Sequence, residues 1–315
     1  MKLYFAPMEG ITGYVFRNTH REYFGEYCEY FAPFINPTES EKRSLKELRD
    51  IMPEKNSGDI KVQILTNSSS HFLSTEEKVK HLGYNEININ LGCPSNTVCK
   101  KGRGAGFLKD KEGLDRFLYE VFQKTSFEIT IKTRLGFSHI DEIYELMDIY
   151  NKYPIKELII HPRTREQFYN GLPETDIFEK ALSVAKMPLC YNGNIYSKED
   201  FGYITERFKG ISSVMIGRGA IMNQGIFNEI ISGEKITKEK LTEFLTILSD
   251  NYMEVLKSEH YTLGKMKEIM LYVMWMFPED KKAIKSVKKA NTLSALLDSL
   301  NYITEIQSPK NNWIN

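Results

Sequence analysis

Cysteine is scarce in this sequence, and the features that the chain lacks exclude several classes of protein. Only four cysteines occur among 315 residues, Cys28, Cys93, Cys99 and Cys190, with no Cys-x-x-Cys spacing and no His-rich tract. Neither a structural zinc site nor a disulfide framework is therefore expected. No apolar run approaches the length of a membrane span, and the run near the N-terminus is too short for a signal peptide. We therefore expect a cytoplasmic protein that does not enter membranes.

An excess of either charge is also absent. Lys and Arg together number 42, and so do Asp and Glu, which gives a net charge of zero. A nucleic acid would therefore have to bind a local basic surface rather than the molecule as a whole. The hydrophobic fraction of 41% and the charged fraction of 27% are ordinary for a globular protein.

The chain does contain a regular alternation of short apolar runs and amphipathic segments. Strands are predicted at residues 3–7, 29–34, 61–65, 86–90, 129–134, 157–161, 188–192 and 213–216. Helices are predicted between them, including 14–24, 75–82, 114–124, 140–150, 177–186 and 198–208. Eight strands with intervening helices predict an α/β fold, a (β/α)₈ TIM barrel. A doubly wound open sheet is the alternative, but Pro7-Met8-Glu9-Gly10 after the first strand lacks its glycine-rich turn.

The pattern changes after about residue 232, where strands end and apolar residues recur at helical spacing. This predicts a small helical domain of three or four helices. We place the barrel domain at residues 1–235 and the helical domain at 236–315. One helical segment has an apolar side and a lysine face, which consists of Lys281, Lys282, Lys285, Lys288 and Lys289. This lysine face is either ordinary solvated surface or a contact with phosphates.

Polar residues or glycines stand at the C-terminal ends of seven predicted strands. In a TIM barrel these ends meet at one mouth and carry the functional groups. The residues are Pro7-Met8-Glu9-Gly10, Gln63, Asn90 with Cys93, Lys132-Thr133-Arg134, His161-Pro162-Arg163-Thr164-Arg165, Asn192-Gly193-Asn194 and Gly217-Arg218-Gly219-Ala220. The last two groups predict phosphate binding by glycine backbone and by Arg218. Lys132 needs either a salt-bridge partner or an anionic ligand, since a lone buried ammonium group is costly.

Cys93 follows the fourth strand in the turn Asn90-Leu91-Gly92-Cys93-Pro94. Gly92 and Pro94 are turn residues, so the thiol is held at a strand end. A cysteine thiol has an ordinary pKa of ~8.5, so at neutral pH it is mostly protonated and can donate a proton. The alternative role for Cys93 is that of a small apolar filler.

Five motifs, in this order and spacing, resemble those of the tRNA-dihydrouridine synthases. The resemblance extends from residue 3 to about residue 230, and the helical tail stands where this family has its tRNA-binding domain. Each motif alone is modest, whereas the set is specific. The motifs are Ala6-Pro7-Met8-Glu9-Gly10-Ile11-Thr12, Asn90-Leu91-Gly92-Cys93-Pro94, Ile131-Lys132-Thr133-Arg134, His161-Pro162-Arg163-Thr164-Arg165-Glu166-Gln167 and Val214-Met215-Ile216-Gly217-Arg218-Gly219-Ala220.

The resemblance implies an FMN-dependent oxidoreductase that reduces the C5=C6 bond of specific uridines in the tRNA D-loop, with NADPH or NADH as reductant. Hydride would pass from flavin N5 to C6 of the uracil, and Cys93 would donate a proton to C5. The uridine must leave its base stack to enter the barrel. The partner is tRNA, and we expect a monomer that requires no protein partner.

The same motif match assigns residues to the cofactor, and basic residues are the candidates for contact with the substrate. The implied FMN contacts are Pro7, Met8, Glu9, Gln63, Asn90, Lys132, His161, Asn192, Gly193, Asn194, Gly217 and Arg218. The candidate tRNA contacts are Lys100, Lys101, Arg103, Arg134, Arg163 and Arg165 together with the lysine face. Recognition of the tRNA outside the mouth would depend on its shape and its phosphates.

Some positions depart from the usual pattern of this family, and two other functions are alternatives to the one that the resemblance implies. Thr66-Asn67, residues 104–108, Asn88 and Asn194 differ from the usual pattern and concern the uracil pocket rather than the reaction class. An FMN barrel that acts on a free pyrimidine is one alternative, but a free base needs no second docking surface. A tRNA-binding protein without activity is the other, but it would not need Cys93, Lys132 and His161 together.

Overall fold

Eight parallel strands form a closed barrel in chain order. The structure is a computed structural model that describes residues 1–37 and 48–303. The closed ring confirms the predicted TIM barrel. The strands are β1 (Lys2–Phe5), β2 (Glu29–Phe31), β3 (Ile60–Ile64), β4 (Glu86–Asn90), β5 (Glu128–Gly136), β6 (Glu157–Thr164), β7 (Leu189–Tyr191) and β8 (Ser213–Ile216).

Three helices begin earlier than predicted, at Ser69, Lys111 and Thr175, and capping side chains fix the first two of these starts. Ser68 accepts a hydrogen bond from the N–H of His71 (3.3 Å), and Asp110 accepts one from Gly113 (2.9 Å). The α-helices are α1 (Tyr14–Phe24), α2 (Ser69–His81), α3 (Asn96–Cys99), α4 (Lys111–Lys124), α5 (Glu142–Tyr150), α6 (Thr175–Val184), α7 (Lys198–Arg207), α8 (Arg218–Met222), α9 (Ile226–Ser232), α10 (Lys238–Leu256), α11 (Glu259–Val273), α12 (Lys281–Lys289) and α13 (Leu293–Asp298).

Strands β5 and β6 are longer than predicted. They continue past residues 134 and 161 because they go on pairing with each other, with Arg134 opposite His161 and, after a register shift, Gly136 opposite Thr164. Arg134 is therefore a strand residue, as predicted, and Arg163, which lies beyond the predicted strand, is a strand residue as well.

Contacts divide the chain into two units. The first contains Met1–Pro7, Tyr30–Gly193 and Phe208–Met215, and the second contains Met8–Glu29, Asn194–Arg207 and Ile216–Asn315. The helices of the second unit are α1 and α7 to α13. The predicted domain boundary between residues 235 and 236 stays a prediction, and residues 304–315 of the predicted helical domain lie outside the described residues.

In the first unit, the barrel core determines where the polar side chains emerge. Tyr4, Ala6, Phe31, Ile159, Cys190 and Met215 form one buried cluster. Side chains alternate along a strand, so a residue two positions after a core residue points to the same side. His161 follows Ile159 in this way, and Asn192 follows Cys190. The polar groups of the mouth thus lie directly above the apolar core.

In the second unit, α1 packs against α10 through aromatic rings. The ring of Phe244 lies 6.3 Å from Phe16 and 5.1 Å from Phe24, centroid to centroid. Helices α10 and α11 also hold the segment before α1, because Tyr252 donates a hydrogen bond to the carbonyl of Ile11 (3.3 Å) and Lys265 to that of Gly10 (2.6 Å). The C-terminal helices α10 to α13 are present as predicted.

Candidate active site

The turn after β4 holds Cys93 through the side chain of Asn90. Asn90 Oδ1 accepts hydrogen bonds from the backbone N–H groups of Gly92 (3.0 Å) and Cys93 (2.9 Å). The carbonyl oxygen of Cys93 accepts one from the N–H of Ala105 (3.0 Å). Gly104 has φ +54°, and a Cβ there would lie 2.9 Å from that same carbonyl oxygen. The half-buried thiol, which forms no disulfide, therefore sits on a turn held from both sides.

Gln63 and Asn90 join the ends of β3 and β4. Asn90 Nδ2 donates a hydrogen bond to Gln63 Oε1 at 2.7 Å, and both side chains are buried. The second N–H of each amide has no acceptor within residues 1–37 and 48–303. Two amide donors at the strand ends are therefore available to a ligand with carbonyl or ring-nitrogen acceptors.

Lys132 stands opposite Asn90 on the neighbouring strand β5. Its ammonium group has neither a hydrogen-bond acceptor nor an ion-pair partner in the part of the chain that the structure describes. Burial and, secondarily, the Arg134 guanidinium lower the pKa of Lys132 to about 8. A cation in this position favours an anionic ligand, because a negative charge would offset both the burial of the ammonium group and its repulsion by Arg134.

His161 is neutral, and both of its ring nitrogens have protein partners. Nδ1 lies 2.5 Å from the carbonyl oxygen of Asn192, and Nε2 lies 3.2 Å from Arg163 Nη1. Because a guanidinium can only donate, Nε2 accepts and Nδ1 carries the proton. Burial and the charges of Arg134, Lys132 and Arg163 lower the pKa of His161 well below its usual value. Its predicted contact with FMN stays a prediction.

Arg134 and Arg163 require a correction, because both are buried, at 2% and 0% exposure. Arg134 donates hydrogen bonds to the carbonyl oxygens of Gly92 (2.9 Å), Thr164 (2.9 Å) and Phe168 (2.8 Å). Arg163 donates to the carbonyl of Gly171 at 2.7 Å. Their guanidinium groups therefore hold the loops after β4 and β6 in place, and they lack the exposed surface that the predicted tRNA contact requires.

Several predicted cofactor contacts belong to the second unit. The N–H of Met8 donates a hydrogen bond to Thr12 Oγ1 at 2.8 Å, within the same short loop. Glu9 is exposed. Arg218 opens α8 and donates a hydrogen bond to Asn194 Oδ1 at 3.1 Å. These residues thus form two local groups, and their contacts with FMN stay predictions.

Close packing accounts for two of the glycines that predicted a phosphate site. A Cβ on Gly193 would lie 2.1 Å from the hydroxyl of Tyr191, and one on Gly219 would lie 1.9 Å from the carbonyl oxygen of Ile195. Glycine is therefore required at both positions by neighbouring protein atoms. The proposed approach of a phosphate to Gly193 and Gly217 stays a prediction.

The basic residues after α3 are exposed to different degrees. Lys100 and Lys101 are exposed, whereas Arg103 is half-buried and donates a hydrogen bond to Asn36 Oδ1 at 2.5 Å. Arg165 donates to Asn96 Oδ1, and its guanidinium lies 5.3 Å from the ring centroid of Phe137. Lys100 and Lys101 are thus the more available cations of this group.

Helix α12 presents the predicted lysine face to solvent. Ala283 and Val287 are buried, while Lys281, Lys282, Lys285, Lys288 and Lys289 are exposed. Lys282 lies 4.0 Å above the ring centroid of Tyr302. The two faces of the helix are as predicted, and the contact with phosphates stays a prediction.

Sequence reasoning did not identify Thr130, and it named Asn88 only as a departure from the family pattern, without a role in the barrel interior. Asn88 accepts a hydrogen bond from Gln63 Nε2 at 2.7 Å and donates one to Thr130 Oγ1 at 2.9 Å. The sequence signal that could have identified Asn88 was strand alternation, because Asn88 and Asn90 lie on the same face of β4. Which neighbours they meet depends on strand register, and a single sequence does not reveal that register.

The residues at the mouth of the first unit fit an FMN ring. Lys132 offers an ammonium group that has no partner among the described residues, while Gln63 and Asn90 offer amide donors. The flavin pyrimidine ring has carbonyl and ring-nitrogen acceptors, and it gains negative charge on reduction. The donor set therefore matches that edge of the flavin in both hydrogen bonding and charge.

The lowered pKa of Lys132 predicts a pH-dependent stability of the FMN-free protein. Above pH 8 the folded protein loses this proton, whereas the unfolded chain keeps it until its ordinary pKa of 10.5. The unfolded state then binds more protons, so the free energy of unfolding should rise from pH 8 to pH 9.5, by up to about 2 kcal/mol. Urea unfolding at these pH values measures the rise. A Lys132→Met variant with the same slope as the wild type would contradict this assignment.

Two features are absent from the described residues. No helix there is long and apolar enough to cross a membrane. No group of three or more His, Cys, Asp or Glu side chains in residues 1–37 and 48–303 could hold a metal ion.

Comparison with known proteins agrees with this geometry. The family model described as dihydrouridine synthase matches residues 4–308. The "Probable tRNA-dihydrouridine synthase 1" of Synechocystis sp. is 28% identical over 252 residues, which cover 78% of this chain and 70% of that protein. The "tRNA-dihydrouridine(16) synthase" of Vibrio vulnificus is 22% identical over 319 residues, with coverages of 97% and 98%.

A solved structure supports the fold alone. A morphinone reductase variant in complex with tetrahydroNAD superimposes with a TM-score of 0.50 at 11% identity, and the match covers 74% of this chain and 86% of that one. The barrel, the Cys93 turn and the family match over nearly the entire sequence lead to one identification. The chain belongs to the dihydrouridine synthase family.

Proposed function

We propose that this protein reduces the C5=C6 bond of uridines in the D-loop of tRNA, with FMN as cofactor and Cys93 as the proton donor. The observation that carries the assignment of Cys93 is the turn after β4. There Asn90 binds the N–H groups of both Gly92 and Cys93, and Lys132 stands on the adjacent strand. A proton donor and a cation are thus presented at one mouth.

Lys132, Gln63 and Asn90 would hold the flavin ring, and bound FMN would supply the hydride. The other proposed FMN contacts are those of the motif match, namely Pro7, Met8, Glu9, His161, Asn192, Gly193, Asn194, Gly217 and Arg218. Arg134 keeps the Cys93 turn and the loop after β6 together through its three carbonyl contacts. This rigid arrangement would orient the thiol toward a base that enters the mouth.

The chemistry of the substrate explains why a thiol is suitable. C5=C6 is conjugated with the C4 carbonyl, so addition at C6 builds negative charge on C5 and O4. The Cys93 thiol would neutralise that charge by giving its proton to C5. The base reaches the thiol only after it leaves its stack, and exposed cations such as Lys100, Lys101 and the lysine face would hold the surrounding phosphates.

We expect purified protein to oxidise NADPH in the presence of an unmodified tRNA transcript and to oxidise none with orotate or free uracil. Mass mapping of the product tests both the reaction and its position.

We propose that the modified uridine is at position 16, because the relative named for that position matches 97% of this chain, including the helices after the barrel. Turnover of orotate would instead assign the protein to free pyrimidines. Reduction at another D-loop uridine would overturn the position alone.

A further inference from the structure

On the basis of the proposed function, we infer that Asn88 is a positioning residue for the Cys93 turn and acts through Gln63 and Asn90. The three side chains form an amide relay, a continuous chain of hydrogen bonds that runs from the turn into the barrel. Thr130 on β5 ends the relay. The side chain of Asn88 itself makes its hydrogen bonds to Gln63 and Thr130.

The direction of every hydrogen bond in the amide relay follows from the turn. Two backbone N–H groups, those of Gly92 and Cys93, point at one atom of Asn90, which must therefore be its oxygen. Asn90 Nδ2 then donates to Gln63 Oε1 (2.7 Å). Gln63 is thereby fixed with its nitrogen toward Asn88, and one N–H of that nitrogen donates to Asn88 Oδ1 (2.7 Å). Asn88 Oδ1 is the acceptor that makes this orientation of Gln63 favourable.

Burial makes the amide relay difficult to rearrange. The exposed fractions are 0% for Gln63, 1% for Asn88, 7% for Asn90 and 3% for Thr130. The far end is closed by Asn88 Nδ2, which donates to Thr130 Oγ1 at 2.9 Å. A flip of any one amide would bring two donors or two acceptors together in a region with little access to water. The four residues therefore share a single low-energy arrangement.

Loss of the Asn88 acceptor would propagate to the thiol. Gln63 Nε2 would lack its partner, so the Gln63 amide could rotate and release Asn90 Nδ2. Asn90 would then no longer be constrained to keep its oxygen on the N–H groups of the Cys93 turn. A displacement of a reacting group by 1 Å typically costs about 100-fold in rate.

Substitutions of similar size separate positioning from structural support. Asn88→Leu removes the acceptor, whereas Asn88→Asp keeps an acceptor for Gln63 and can also accept from the Thr130 hydroxyl. Asn151→Leu is the matched control, because Asn151 lies after α5 and makes hydrogen bonds to Val184 (3.0 Å) and Lys186 (2.9 Å), outside the amide relay. In each holoenzyme we would measure kcat and KM for tRNA and the alkylation rate of Cys93 by iodoacetamide, read by peptide mass.

For Asn88→Leu we expect kcat to fall about 100-fold with KM changed less than about threefold, and Cys93 to be alkylated at least about threefold faster. Asn88→Asp should restore both values to within about threefold of wild type, and Asn151→Leu should leave them unchanged. If Asn88→Leu does not fold, Asn88→Asp and Thr130→Val supply the test, the latter with a smaller loss of kcat and faster alkylation.

Three results would overturn the positioning role. They are an Asn88→Leu enzyme no slower than Asn151→Leu, an Asn88→Asp enzyme as slow as Asn88→Leu, and an alkylation rate that no relay variant changes. Failure of the proposed function is distinguishable, because a wild-type protein inactive on tRNA would still show the alkylation pattern if the amide relay positions Cys93.

Discussion

Replacement of Cys93 with alanine is expected to lower the rate of uridine reduction by about 10²- to 10⁴-fold, which is the usual contribution of a positioned general acid. FMN binding and reduction of the flavin by NADPH should persist, because Lys132, Gln63 and Asn90 remain in place. Single-turnover reduction of an unmodified tRNA by pre-reduced enzyme measures the loss directly. It separates the proton donation from the preceding transfer of electrons from NADPH.

Cys99→Ala is the matched control for this experiment. Cys99 is also a half-buried thiol, and its Sγ lies 3.5 Å from the carbonyl oxygen of Cys93, so its removal perturbs the same loop without removing the proposed acid. We expect this variant to keep most of its activity. Full single-turnover activity in Cys93→Ala, or an equal loss in Cys99→Ala, would contradict the assignment of Cys93 as the acid.

Removal of three charges from the lysine face is expected to weaken tRNA binding by at least about tenfold at physiological salt. Lys285, Lys288 and Lys289 are exposed, and Ala283 and Val287 on the opposite side of α12 keep the helix packed. Each lost phosphate contact should lower the slope of log Kd against log salt by up to about 0.9. The combined Lys→Gln variant should therefore bind tRNA less tightly and with a weaker dependence on salt, while kcat stays the same.

A charge-matched variant distinguishes a docking surface from an effect of net charge. Lys78, Lys80 and Lys124 are exposed on α2 and α4, and their replacement with glutamine removes the same three charges. We expect this control to change the Kd for tRNA by less than about twofold. Equal weakening by both variants would mean that α12 is an ordinary solvated helix.

The barrel and its mouth could be predicted because their signals are local. Apolar runs of strand length alternate with helical patterns, and polar residues stand where those runs end. The structure confirms the barrel and brings Gln63 and Asn90 into direct contact. Lys132 stands opposite Asn90, as expected for equivalent positions on adjacent parallel strands. Hydrophobic periodicity and the positions of the strand ends were therefore sufficient to predict which side chains lie at the mouth of the first unit.

The two buried arginines could not be placed correctly from the sequence, because strand length depends on pairing partners. Arg134 ends one predicted strand and Arg163 follows another, and charged residues at strand ends are typical of exposed positions that contact a nucleic acid. Pairing of β5 with β6 continues beyond both runs and brings the guanidinium groups under the loops, where backbone carbonyls accept their hydrogen bonds. The same limit applies to Asn88, since its role depends on the register between β3, β4 and β5.

Closure of the barrel also constrains the order in which this chain can complete its sheet. β1 and β8 adjoin in the ring, although more than 200 residues separate Phe5 from Ser213. During synthesis on the ribosome, β1 therefore emerges long before β8, the strand that covers one of its edges, has been made. Contacts between such distant segments form slowly. The earliest of these eight strands to be translated is thus among the last to acquire both of its neighbours.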